Sequence, residues 1–386
     1  MDLLLAAPGG EIVLSAVAAE LGVYVVGGAV RDALLGKVPR ELDLVVEGDA
    51  VAVARRAAER VGGALTVHDR FGTATVLADG FAFDFAGARR ERYARPGALP
   101  DVELGASIEE DLARRDFTVN AIALRLSDDE IVEWEGARAD LEAGVLRVLH
   151  DRSFSDDPTR MLRLVRYAAR LGFEPDPQTD SLVDPALFAT VTGERLGNEL
   201  RLLIREGALH ALEQHGLGRA LLGEGFRAVD LSVAGLLALA ACCTAIPRQA
   251  LRARLDDLGF TARERDVVVA AADGLTRLRG ALGGSDADLW RLLRRERPET
   301  VELLAAAGEE GARRWLDEVR HRNLAINGDD LVAAGLSGAA VGEGLDRATV
   351  AMLEGRAPDR ESQLREAAAA GEGEDRAGGS RDRRQQ

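Results

Sequence analysis

The chain has 386 residues, 47% of them hydrophobic, with 49 Lys and Arg against 65 Asp and Glu and a net charge of −16. That length has room for two or three globular domains with a large core, and the acid excess argues against broad, non-specific coating of nucleic acid while leaving room for arginines gathered in one groove. No stretch has the apolar length of a membrane span and the first ten residues lack the basic start of a secretory signal, so a cytoplasmic protein without a membrane partner is expected.

A short amphipathic helix over Glu11–Leu21 leads into a β-rich run, Val23–Val26, which meets Gly27-Gly28 and a helical segment, Ala29–Gly36. After a loop at Pro39, a second β-rich run opens with Glu41-Leu42-Asp43. Paired glycines let a backbone approach a ligand closely, and the free N–H groups of the following helix, with Arg31, favour an anion such as a triphosphate. Side chains two apart on a strand share a face, so Glu41 and Asp43 project together while Leu42 faces inward. Two carboxylates beside a phosphate cradle suit Mg2+, which points to metal-assisted nucleotidyl transfer.

GGAVRDALLG followed by ELDLVVEGDA resembles the nucleotide-binding motif of the class II tRNA nucleotidyltransferase and bacterial poly(A) polymerase family. The resemblance implies binding roles for Gly27, Gly28, Arg31 and Asp32 and metal ligation by Glu41 and Asp43, although Glu41 stands where that motif normally has the first Asp of Asp-x-Asp.

A helix follows in the run ending at Gly62-Gly63, then strands over Ala64–His68, Thr73–Leu77 and Phe81–Phe85 separated by Gly-containing turns. Asp84, opposite in face to Phe83 and Phe85, is a candidate third carboxylate by the resemblance, with a solvent-facing strand aspartate as the alternative. A charged loop containing Pro96, Gly97 and Pro100 follows, with Arg90, Arg92 and Tyr93 around Glu91 approximating the family's Arg-x-Glu-x-Tyr signature. Arg114-Arg115-Asp116-Phe117-Thr118-Val119-Asn120-Ala121 resembles the family's RRDFTINA motif. Arginines beside an aspartate hold triphosphate oxygens while the carboxylate fixes a guanidinium or a ribose hydroxyl, so Arg115 is assigned to the nucleotide, with Asp116 and Asn120 in support.

A hairpin-like stretch over Ile131–Trp134 and the run to about residue 150 close the first domain; His150-Asp151, with no second cluster, does not make a metal phosphohydrolase. A helix is expected with Pro158 at its first position, running to Leu171 and ended by Gly172. Asp157, Arg160, Arg163 and Arg166 recur every three residues along one side of it, while Met161, Leu164, Val165 and Ala168 pack inward. DDPTRMLR resembles the family's protein-template motif, which implies that Asp157 and Arg160 read the base and that Arg163 and Arg166 contact the nucleotide. Cytosine and adenine pair an exocyclic amino donor with a ring-nitrogen acceptor, so a carboxylate beside a guanidinium suits them and leaves polar groups unpaired against uracil or guanine.

The resemblance runs through a helix pair joined at Gly207 to about residue 220. Helices are expected at Leu231–Ala245, Ala262–Leu278, Ala287–Arg294, Val301–Leu316 and Gly328–Ala334, with Cys242 and Cys243 as buried packing, and a disordered tail over 356–386, most clearly from Ala370. The expected architecture is therefore an α+β nucleotidyltransferase head with a mostly antiparallel sheet (1–150), a helical neck that recognises the base (151–220), a helical body and tail (221–355) and the disordered tail. By resemblance the partners are tRNA, CTP and ATP, the cofactor is Mg2+, and the reaction is CCA addition. CC-only addition, A-only addition and poly(A) synthesis share every motif quoted, and a non-catalytic nucleotide- or RNA-binding module with a relaxed metal site is the rival from another class.

Overall fold

A computed structural model describes residues 1–68 and 72–369. By packing, the chain divides into two units: Met1–Gly223 together with Asp257–Gly259, and Glu224–Asp256 together with the chain from Phe260 onward. The expected head and neck segments thus lie together in the first unit.

The strands of interest in the first unit are β1 (Val23–Val26), β2 (Asp43–Val46), β3 (Ala64–His68), β4 (Thr73–Ala78), β5 (Phe81–Gly87), β6 (Arg89–Arg92), β7 (Asp101–Leu104), β8 (Ile122–Arg125) and β9 (Ile131–Glu133). Seven of them form one sheet in the order β3-β4-β5-β2-β1-β8-β9, and β6 pairs with β7 as a separate hairpin. Every neighbouring pair in the large sheet is antiparallel except β2 with β5, which run parallel. All four residues of β1 are buried, as a central strand of Val and Tyr covered on both faces requires. β5 alternates instead: Phe83 and Phe85 are 3% and 0% exposed, and Asp84 faces the other way.

The helices of this unit are α1 (Asp2–Leu5), α2 (Gly10–Val17), α3 (Gly28–Leu34), α4 (Ala50–Val61), α5 (Ile108–Ala113), α6 (Ala137–Ala143), α7 (Ser153–Asp156), α8 (Thr159–Leu171), α9 (Pro177–Ser181), α10 (Gly193–Arg205) and α11 (Leu217–Leu222). Asp49 caps α4 by accepting from the Ala52 N–H at 2.9 Å, and Gly62 ends it at φ +65°. Its Val53, Ala54, Ala57 and Ala58 are buried, and it packs on β4 and β5. α4 and the β3–β4 hairpin together make the crossover that lets β5 return parallel to β2.

Several boundaries differ from the sequence reading. α2 ends at Val17 rather than Leu21; the chain turns there, and Glu20 pairs with Arg56 and Arg60 of α4 at 2.6 and 2.7 Å. β2 begins at Asp43, so Glu41 and Leu42 precede the strand, although Leu42 is buried and its neighbours are exposed as the alternation requires. Pro158 sits one residue before the first helical position of α8, and Asp157 bonds the Thr159 N–H at 3.0 Å.

The second unit is helical, with segments at Gly235–Cys242, Ala262–Leu278, Asp286–Leu293, Pro298–Ala306, Glu310–Asp317, Gly328–Ala333, Ala339–Leu353 and Arg360–Ala368. The single helix expected over Val301–Leu316 is two, broken at Gly308 with φ +95°. Cys242 and Cys243 are buried free thiols. The expected disorder over 356–369 is overturned. Arg360–Ala368 is a helix capped by Asp359, and its Ala367 and Leu364 pack with Leu331 and Ala348, so small residues suffice to bury it. The expectation of disorder from Ala370 lies outside the described residues. Among the described residues no helix is long and apolar enough to cross a membrane.

The tightest helix crossing in this unit is at Gly274, where a Cβ would fall 2.2 Å from Cγ2 of the fully buried Thr300. A Gly274→Ala substitution is predicted to cost about 1–3 kcal/mol through overpacking, read as a fall in the denaturant midpoint. Combining it with Thr300→Ser, which removes that methyl, should recover most of the loss.

Candidate functional site

The site begins where β1 ends. Gly27 adopts φ +62° and ψ −124°, and its N–H donates to the Ile122 carbonyl at 2.9 Å. A Cβ at this position would lie 2.6 Å from Arg115 Nη1, so the absent side chain is what lets that guanidinium lie across the turn. In α3, Arg31 is 1% exposed. It donates from Nη1 to Asn120 Oδ1 at 2.5 Å, and from Nε and Nη2 to Asp32 Oδ1 at 2.8 and 2.6 Å.

Arg115 and Asp116 follow α5, whose start is fixed by a capping box between Ser107 and Glu110. Asp111 is fully buried in that helix and accepts from Arg114 at 2.8 and 2.9 Å and from Arg115 at 3.0 Å. Burial pushes the Asp111 carboxyl up, but the two guanidiniums hold it below its usual value. Burial in turn lowers Arg115, opposed by Asp111, and the guanidinium stays charged. Arg115 Nε is buried with no hydrogen-bond partner among the described residues, as is Arg166 Nε in the same cleft.

Asp116 is the junction of the site. Oδ1 accepts from the Phe117 N–H and from Asn120 Nδ2, each at 2.9 Å, and Oδ2 accepts from Arg163 Nε at 2.7 Å. Burial would raise this carboxyl, yet the Arg163 charge and the Asn120 bond win and bring it to about 2. Beyond it, Arg163 reaches Glu199 at 3.3 Å, and Arg166 reaches Glu199 and Glu206 at 3.4 and 2.9 Å.

The acidic group lies on the β2 side. Parallel register sets Asp43 beside Asp84, and Asp84 Oδ1 accepts from Thr75 Oγ1 at 2.6 Å. The protein backing Asp43 raises its carboxyl, and Glu41 and Asp84 push the same way against Arg115. A cation would relieve that crowding. No group of three or more His, Cys, Asp or Glu with metal-holding geometry exists among the described residues. A pair of carboxylates completed by phosphate oxygens is, however, the ordinary manner of binding Mg2+, so Glu41 and Asp43 fit the ion.

On the far wall, Asp157 Oδ1 accepts from the Thr159 N–H and Oγ1 at 3.0 and 2.7 Å and from Arg195 Nη2 at 2.8 Å. Asp156, next to Asp157, pairs with Arg152 at 3.0 Å. Arg160 is 5% exposed and donates to Ser153 Oγ and to the Arg114 carbonyl, both at 2.7 Å. Arg195 also donates to the Gly97 carbonyl at 3.0 Å, and the Gly97 N–H donates to Ser155 O at 3.1 Å. In the loop signature the pairing residue is Arg89, not Arg90: Arg89 and Tyr93 both bond Glu91, at 3.0–3.1 Å, and Arg90 turns to Glu110. Burial and the Glu91 charge push the Tyr93 hydroxyl up to about 12.

One cleft of about 1160 Å³ brings these walls together. It is lined by Gly27, Gly28, Arg31, Asp32, Glu41, Asp43, Arg115, Asp116, Asn120, Asp157, Arg160, Arg163 and Arg166, which is every residue selected from sequence except Asp84. Asp84 is exposed on the neighbouring strand, level with Asp43, and is not among the lining residues. Sequence reasoning missed Tyr167, Arg195, Glu199, Arg205 and Glu206, which also line the cleft. The signal for most of them was a polar stripe on α10, with Arg195, Asn198, Glu199, Arg205 and Glu206 at helical spacing on one side.

Carboxylates at the sheet and the arginines of α8 line the same cleft. Residues 23–147 match the poly A polymerase head domain. The chain is similar to an A-adding tRNA nucleotidyltransferase of Geobacter sulfurreducens, 44% identical over 195 residues, 48% of this chain and 22% of that protein. It is also similar to a CC-adding tRNA nucleotidyltransferase of Deinococcus radiodurans, 42% identical over 206 residues, 51% of this chain and 55% of that one. The match thus spans from about a fifth to about half the length of these relatives. A solved CCA-adding enzyme, in an apo form, superposes with a TM-score of 0.80 at 26% identity, covering 96% of this chain and 98% of its own.

Two predictions follow from this geometry. A carboxyl brought from 3.8 to about 2 contributes about 2 kcal/mol of stability that is complete above pH 4 and is lost as pH falls through 2. Asp116→Asn should therefore flatten the acid limb of a stability–pH curve by that amount between pH 4 and 2. Gly27→Ala places a methyl where Arg115 lies and holds a non-glycine residue at positive φ. It should cost about 1–3 kcal/mol of stability, read as a fall in the denaturant midpoint.

Proposed function

We propose that the protein is a template-independent RNA nucleotidyltransferase that adds CMP and AMP, from CTP and ATP, to the 3′ end of tRNA in the cytoplasm. The observation that carries this reading is the single cleft joining Glu41 and Asp43, the unpaired Arg115 Nε and the Asp157–Arg160 wall. Gly27 and Gly28 leave room for a triphosphate, and Arg115 donates to its oxygens. Arg31 and Asp32, locked together, hold the turn in shape, and Arg31 carries that order to Asn120. Asp116 and Asn120 keep Arg115 and Arg163 in register beside the sugar.

Glu41 and Asp43 would hold Mg2+, with Asp84 adding its negative charge beside Asp43; the ion when bound supplies charge neutralisation on the phosphates and activation of the attacking hydroxyl. The chain's own contribution is then positioning. Asp157 accepts from the exocyclic amine of cytosine or adenine, and Arg160, pinned by Ser153 and the Arg114 carbonyl, donates to the ring nitrogen. Arg163 and Arg166 flank the nucleotide. The tRNA 3′-hydroxyl attacks the α-phosphate, the bond to the β-phosphate breaks, and pyrophosphate leaves.

CCA addition is the first reading, and A-only addition is the second, favoured by the similarity to an A-adding relative. Purified protein with Mg2+ is incubated with tRNAs ending at the discriminator base, after one C, or after both. Growth of all three with CTP and ATP is the expected result, growth of only the last marks A-addition, and binding without any extension overturns the reading in favour of a binding module. Asp43→Asn should lower the rate about a hundredfold or more, whereas Glu41→Asp, one methylene shorter, should retain extension.

A further inference from the structure

Tyr167, on α8, is 8% exposed and lines the cleft, yet neither the metal nor the base chemistry above uses it. Four guanidiniums surround its ring: Cζ of Arg31, Arg163, Arg166 and Arg170 lies 5.5, 5.4, 4.7 and 4.9 Å from the ring centroid. The ring meets Phe117 edge-on, with centroids 5.9 Å apart and planes at 89°, and its hydroxyl accepts from Arg163 at 3.0 Å. Phe117 belongs to the same run as Asp116 and is fully buried, so the ring's own position is fixed from behind.

The origin of those arginines is informative. Arg31 comes from α3, the helix of the phosphate turn, and the other three come from α8, the helix that carries the base wall. Carboxylates answer the positive charge: Asp32 holds Arg31, Asp116 holds Arg163, and Glu199 and Glu206 hold Arg166. Arg170 is held most loosely, with Glu206 at 3.8 Å, and its guanidinium lies 4.9 Å from the ring centroid. Glu199 is shared by Arg163 and Arg166, and Glu206 by Arg166 and Arg170, but none of these carboxylates is paired with all four arginines, whereas the ring has all four guanidiniums within 5.5 Å of its centroid. An aromatic face attracts a guanidinium by its quadrupole without adding charge, and so gathers cations at a spacing no carboxylate could hold without neutralising the site.

Building on the nucleotidyl-transfer reading, we propose that Tyr167 is a positioning residue that couples triphosphate binding to base choice by setting the distance of Arg31 from Arg163, Arg166 and Arg170. The bland alternative is an aromatic that only fills the space between α8 and its neighbours. The two differ in what the electrons of the ring do.

A series at position 167 separates them: Tyr167→Phe, then mono-, di- and trifluorinated phenylalanine, which keep the shape and weaken the quadrupole stepwise, with Tyr167→Leu as the end point. The readouts are KM for CTP and ATP and the preference for them over UTP and GTP on a tRNA acceptor. The proposal expects Tyr167→Phe to stay within about twofold of the parent, KM to climb with each fluorine to about fivefold or more, and base preference to fall in parallel while kcat and melting temperature hold. A flat KM across the fluorinated series overturns it, as does a rising KM with base preference unchanged. Direct titration of CTP and ATP on the same variants reads the effect without turnover. If the parent extends no tRNA while affinity is still graded by fluorination, the nucleotidyl-transfer reading fails and the role of Tyr167 stands.

Discussion

Everything in the cleft hangs on a chain of alternating charge that begins at Asp32 and passes through Arg31, Asn120, Asp116 and Arg163 to Glu199, Arg166 and Glu206. Buried charges are costly to remove from water, and a buried pair justifies itself only when the remaining lone pairs and protons are satisfied. Here most of them are met serially, each group answering the one before, while Arg166 Nε and one oxygen each of Glu199 and Glu206 lack a hydrogen bond among the described residues. Asn120 is the neutral link: its side-chain oxygen accepts a hydrogen bond from Arg31 and its amide N–H donates to Asp116, so the guanidinium and the carboxylate are joined without a third charge between them. The result is a polar core that is rigid for the same reason it is intolerant of partial loss.

The sheet supplies a second constraint. Antiparallel neighbours would have been reached by short turns, but β2 and β5 run parallel, and the crossover through α4 sets Asp84 level with Asp43. Crowding of carboxylates is thereby built into the backbone register rather than left to flexible loops. Glu41, outside the strand, is the member whose position is least prescribed by that register, which fits its being the residue that departs from the Asp-x-Asp pattern.

How much of this was legible in the sequence depended on whether a feature was local. Gly27-Gly28, the Glu41/Asp43 pair and the Arg115-to-Ala121 run each carry their chemistry within a few residues, and all of them line one cleft. α8 was legible too, because its arginines recur at helical spacing and Gly172 closes it. The level pairing of Asp84 with Asp43 was not, since it follows from a crossover that no short window contains. Tyr167 carries no signal in its own stretch of sequence, because one of the guanidiniums around its ring, Arg31, is far away in the chain. The helix at Arg360–Ala368 was missed for a different reason: its burial is by alanine and glutamine, which composition counts as a sign of disorder.

Arg195 deserves a last look for what its two bonds do together. One hand holds the Asp157 carboxylate and the other holds the carbonyl of Gly97, a loop residue whose φ is +68° and whose own N–H is tied to Ser155. Thr190 O would sit 2.4 Å from a side-chain carbon at Gly97, so the loop is seated there with no slack. A single guanidinium therefore ties the loop to the Asp157 carboxylate without passing through the sheet, so that a shift of the loop at Gly97 would have to be absorbed by the bonds of Arg195.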